Sequence, residues 1–70
     1  MDGGLTIEER YVVDQILAAE KAGGAWVRLT MPAIQDAAFT LAMRGLVLIA
    51  EAAADTTVRR ANGVRIEDLA

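Results

Sequence analysis

Residues 32–55 read PAIQDAAFTLAMRGLVLIAEAAAD, and whether this stretch is one helix or a helix followed by a strand decides the fold. On a helix at about 100° per residue, the polar side chains of Asp36, Thr40, Arg44, Glu51 and Asp55 fall within one arc of roughly 100°. Ala50-Glu51-Ala52-Ala53-Ala54 has high helix propensity, and the polar stripe continues in phase across Gly45. Gly45 is also a natural stop, after which Leu46-Val47-Leu48-Ile49 is short and apolar enough for a buried strand. Propensity and phase together predict one long helix from Pro32 to about Ala54, with Gly45 costing about 1 kcal/mol relative to alanine.

A helix wet along so narrow a stripe needs cover that a chain of 70 residues hardly supplies, since a domain of this size removes only about 60 % of its unfolded surface from water. Small domains are commonly supported by disulfides, a structural metal or oligomerisation. The chain has neither cysteine nor histidine, so a homo-oligomer, most simply a dimer, is expected. On the long helix Ala38, Ala42, Gly45 and Ala52 lie opposite the stripe, where small residues admit another helix, either the first helix or a second copy. Phe39 and Met43 flank the stripe four residues apart. They read first as core and second as an exposed anchor pair.

Upstream, Met1 to Leu5 looks frayed, and Thr6 with Glu9 has the spacing of a capping box. A helix from about Thr6 to Ala22 follows, with Ile7, Val12, Val13, Ile16, Leu17 and Ala19 at three- and four-residue intervals. Gly23-Gly24 closes it. In Ala25-Trp26-Val27-Arg28-Leu29-Thr30, Ala25, Val27 and Leu29 alternate with Trp26, Arg28 and Thr30, which is a strand pattern. Thr30 then caps the second helix, with Pro32 in its first turn.

Downstream, Asn62-Gly63 is a strong two-residue hairpin signal. A hairpin turning there pairs Ala61 with Val64, Arg60 with Arg65, Arg59 with Ile66 and Val58 with Glu67. Arg60 and Arg65 then face each other across the ladder, either balanced by Glu67 or forming a fork for phosphate or a partner's carboxylates.

Serine is absent along with cysteine and histidine, which removes the usual nucleophiles and the usual general base. The pairs Glu8/Glu9 and Glu67/Asp68 are sequence neighbours that point apart. No catalytic activity, metal or cofactor is expected. The net charge of −3 suits nucleic acid poorly, although Arg59, Arg60 and Arg65 form a small basic patch. Arg44 and Glu51 interrupt the most apolar run, so a transmembrane helix is excluded. No secretory signal is visible, which makes the cytoplasm the default.

Arg44-Gly45-Leu46-Val47 after an alanine-rich helix, with a basic hairpin downstream, resembles the end of the recognition helix and the wing of winged helix-turn-helix proteins. The resemblance covers about half the chain. It implies groove-facing roles for Gln35, Asp36, Thr40 and Arg44, and a phosphate-gripping wing carrying Arg59, Arg60 and Arg65. One departure is plain: only one helix fits between Thr30 and Gly45, where that family normally has two.

The expectation is therefore a single helix-dominated α+β domain over residues 1–70, ordered helix, short strand, long helix, C-terminal β-hairpin. Its expected role is that of a non-catalytic interaction or regulatory module that self-associates and binds another macromolecule, a protein before a nucleic acid and not a membrane. The interaction candidates are Phe39, Ala42, Met43, Gly45, Arg59, Arg60 and Arg65. The alternative is a winged-helix-like DNA-binding regulator.

Overall fold

A computed structural model describes residues 4–52 and 55–65. Two helices and three strands follow in the order α1 (Ile7–Lys21), β1 (Val27–Leu29), α2 (Pro32–Met43), β2 (Val47–Ala52) and β3 (Asp55–Arg60). The strands form one antiparallel sheet in the order β1-β3-β2. This is a small α+β domain, as composition and patterning imply.

The first helix forms where local chemistry places it. Glu9 N–H donates to Thr6 Oγ1 at 3.1 Å while Glu9 Oε1 accepts from Thr6 N–H at 2.9 Å, closing the capping box. At the other end Gly23 N–H donates to the Glu20 carbonyl and Gly24 N–H to the Ala19 carbonyl, the paired bonds of a Schellman stop with Gly23 at φ 93°. Leu5 packs against the core, so the expected fraying does not reach it; residues 1–3 lie outside the described residues.

The second helix departs from expectation at both ends. It stops at Met43, and Gly45 is the residue just past the cap. Gly45 N–H donates to the Ala42 carbonyl at 2.9 Å and Leu46 N–H to the Leu41 carbonyl at 3.1 Å, a second Schellman stop with Gly45 at φ 79°. The stretch beyond it is strand, because Val47 to Ala52 finds a full-length partner in Asp55 to Arg60. Asp36, Thr40 and Arg44 keep their exposed stripe on α2 and its cap, whereas Glu51 moves to the sheet. At the start the cap is Met31, with no side-chain hydrogen bond; Thr30 stands one residue too early to serve. Met31→Asp is therefore expected to add about 1 kcal/mol, supplying the missing acceptor and a favourable charge at the helix N-terminus. A thermal melt showing no increase in Tm would count against that account of the cap.

The core lies between the helices and one face of the sheet. Val12, Val13 and Ile16 of α1 meet Ile34, Ala37, Ala38 and Leu41 of α2, with Leu29, Val47 and Val58 from the three strands. Helix α2 lies over β2, while α1 reaches β1 and β3 and packs along α2. Ala38 is fully buried, so the small-residue side of this helix serves the domain's own packing.

The Asn62-Gly63 turn is present, with Val64 N–H donating to the Ala61 carbonyl at 3.1 Å and Gly63 at φ 84°. The hairpin expected around it does not form as pairs. Val58 already pairs with Val27 on one side and Ile49 on the other, while Arg59 and Arg60 pair with Leu48 and Val47. Val58, flanked on both sides, has no edge left for a third partner, and among the described residues Arg65 belongs to no strand. Ile66 and Glu67, the other partners of that pairing, lie outside the described residues.

Candidate interaction surface

Helix α2 is twelve residues long, and its buried positions Ile34, Ala37, Ala38 and Leu41 define one side. Phe39 and Met43 lie on the other side, one turn apart. Phe39 is 38 % exposed and Met43 is 89 % exposed, which overturns the expectation that they join the core and leaves the anchor-pair reading. Ala42 is partly buried against the core beneath them. Gly45 is exposed at the helix stop; its part is to end the helix and aim β2.

The arginines are engaged within the domain. Arg60 Nη2 stands 3.1 Å from Glu20 Oε1 with both side chains about a quarter exposed, at 28 % and 26 %, and so ties β3 to the last turns of α1. Such a partly solvated pair is worth about 1 kcal/mol or less. Glu20→Ala is accordingly expected to lower stability by no more than about 1 kcal/mol in a denaturant titration. The Arg59 guanidinium lies 5.7 Å from the centre of the Trp26 ring, close enough for a cation–π contact. Its Nε also donates to the Arg60 carbonyl at 3.3 Å, and its Nη2 to Asn62 Oδ1 at 3.5 Å. Arg65 is exposed beyond the turn. The fork of Arg60 against Arg65 is thus replaced by two arginines on opposite faces of one strand, one bonded to an acid and one laid over an aromatic ring.

Among the described residues the helices cover only one face of the sheet. On the uncovered face Leu48 is opposite Arg59, with Trp26 across the strand, and Leu48 and Trp26 are 44 % and 47 % exposed. Strand alternation puts Trp26 on the face away from Val27 and Leu29, but nothing in one sequence shows that α1 and α2 both pack on the other face. Glu20 was equally unmarked, since its partner is forty residues away along the chain. A shallow depression between α1 and the start of α2 is lined by Tyr11, Gln15, Arg28 and Met31.

No protein-family model, curated protein or solved structure matches the chain. Among the described residues, no group of acidic side chains is placed to hold a metal ion, and no helix is long and apolar enough to cross a membrane. The element order after β1 bears on the winged-helix resemblance in two ways. A hairpin, β2–β3, does follow Arg44-Gly45-Leu46-Val47 directly, and a single helix separates β1 from it. Arg59 and Arg60, however, stand at the base of that hairpin, opposite Leu48 and Val47, and Glu51 stands toward its turn. The wing that the resemblance implies has its positive charge at the wrong end.

Proposed function

We propose that this chain is a non-catalytic cytoplasmic interaction module that self-associates and binds a protein partner through the outer side of α2. The observation that carries the reading is the exposure of Phe39 and Met43 on a helix whose opposite side is filled. An aromatic ring and a flexible thioether one turn apart form an adaptable apolar anchor. Asp36, Thr40 and Arg44 beside them supply a polar rim, the arrangement of an interface core and its margin. The partner is one that offers an apolar groove to a helix, which is a common mode of peptide and domain recognition.

The test compares the native protein with Met43→Asp, a change at so exposed a position that folding is expected to be unaffected. Proteins crosslinked to the native chain in its host should be lost with Met43→Asp while the circular dichroism melt stays in place. Equal capture by both proteins sinks the α2 surface.

DNA binding is the second reading, favoured by the hairpin directly after Arg44-Gly45-Leu46-Val47. It predicts duplex affinity that falls steeply with salt, with Arg60→Ala and Arg65→Ala together flattening the slope by about two units. The acidic net charge and the Arg60–Glu20 pair set it second. Binding of that kind, abolished by those two changes, would displace the first reading.

A further inference from the structure

The outer edge of β2 is the unanswered feature of this fold. Among the described residues no strand pairs with it, for β2 ends the sheet. It runs six residues with an unbroken register and no bulge. Edge strands are ordinarily protected by shortness, proline, lysine or a bulge. The opposite edge, β1, is three residues long and carries Arg28 at its centre. Val47-Leu48-Ile49-Ala50-Glu51-Ala52 has one charge and none of those devices.

The phase of the ladder shows which groups the edge offers. Ala61 N–H donates to the Leu46 carbonyl at 3.1 Å, and these two residues continue the β2/β3 register by one step. Antiparallel pairs alternate between bonded and non-bonded. Leu48/Arg59 and Ala50/Thr57 are therefore bonded pairs, and Thr57 Oγ1 also reaches the Ala50 carbonyl. The N–H and C=O groups of Val47, Ile49 and Glu51 consequently point away from β3, toward the open edge.

We infer that two copies of this chain pair antiparallel along β2, with Ile49 on the two-fold axis. The inference rests on the self-association in the reading above and names its surface. The outward groups are symmetric about Ile49, so this register sets Val47 against Glu51, Ile49 against Ile49 and Glu51 against Val47. Three bonded pairs with two hydrogen bonds each satisfy every outward group of the strand. Centring the axis on Leu48 or Ala50 leaves only two such pairs. The same register separates the two Glu51 carboxylates, placing each opposite a valine. A two-fold axis perpendicular to the sheet keeps both copies of α2 on one side. The result is a six-stranded sheet, ordered β1-β3-β2-β2-β3-β1, and the half-buried Ile49 side chains meet at its centre.

Because the chain has no cysteine, single-cysteine variants report the register directly. In a bonded pair the Cα atoms lie about 5.5 Å apart, within disulfide range. Ile49→Cys should therefore give a disulfide-linked dimer under mild oxidation. Glu51→Cys should not, since its copy lies four residues away along the partner strand, about 14 Å distant. Glu51→Pro removes an outward N–H and should weaken the dimer about tenfold or more in sedimentation, while the melt of the dilute protein stays in place. Ala50→Pro removes a bond to β3 and should lower that melt.

Equal crosslinking of Ile49→Cys and Glu51→Cys overturns the register. A dimer by light scattering that Glu51→Pro leaves unchanged, and that Ile49→Cys does not link, overturns this pairing but leaves self-association standing. A strictly monomeric protein at high micromolar concentration overturns both.

Discussion

Leu41→Ala is expected to leave the domain largely unfolded at 25 °C. Leu41 is wholly buried where α2 meets the sheet and α1, so truncation removes its apolar contacts and opens a cavity that close-packed neighbours cannot fill. Changes of this kind cost about 2–5 kcal/mol. A single core in a chain of this length rarely supplies more than about 3–5 kcal/mol. The loss therefore matches the whole margin. Phe39→Ala, two positions away, removes a larger side chain that is already 38 % exposed, and a smaller cost of about 1–2 kcal/mol is expected. Urea titrations followed by circular dichroism at low micromolar concentration separate the two, since association would otherwise raise the apparent stability. If Leu41→Ala moved the midpoint no further than Phe39→Ala does, the described core would be wrong.

Gly45→Ala should destabilise by about 1–2 kcal/mol, and its sign is more informative than its size. At φ 79° the Cβ atom of alanine meets its own backbone, a strain that glycine escapes. Beyond its two chain neighbours no atom lies within 4 Å of the position a Cβ would take, so the cost arises from the local backbone alone. Gly45→Asn should then recover much of it, because asparagine tolerates the left-handed region. Within a continuous helix the same alanine would stabilise by about 1 kcal/mol. The two structures of this stretch predict opposite shifts, and a raised Tm for Gly45→Ala would restore the long helix.

What could be read from residue order alone divides by how local its cause is. The limits of α1 were legible because Thr6, Glu9, Gly23 and Gly24 act on backbone groups within a turn of themselves. The alternation of Ala25 to Thr30 likewise revealed β1. The end of α2 was not legible in the same way. Leu46 to Ile49 suits either state, and Ala50 and Ala52 prefer helix; they are strand because Asp55 to Arg60, rich in Thr56, Thr57 and Val58, lies antiparallel beside them. Tertiary pairing overrode propensity there. The Asn62-Gly63 turn is legible, but its expected strand pairing requires Val58 to have a free edge, and that edge is filled by Val27, about thirty positions away. At the candidate surface the spacing of Phe39 and Met43 is legible and their exposure is not, since a helix that stops at Met43 buries only one side.

The placement of β3 between β1 and β2 also sets an order of events for a chain emerging from the ribosome. The two helices and β1 are made first, then β2, yet β1 and β2 share no ladder and cannot join without the strand that comes after both. Until Arg60 has emerged, the sheet is two separate strands beneath a pair of helices. Assembly waits on its later third, and the closing contact, Val27 with Val58, spans nearly half of the chain. Contacts of such long range slow folding. Through that interval the apolar sides of α1 and α2 have no sheet to cover them, and surface of that kind is prone to aggregate until β3 arrives.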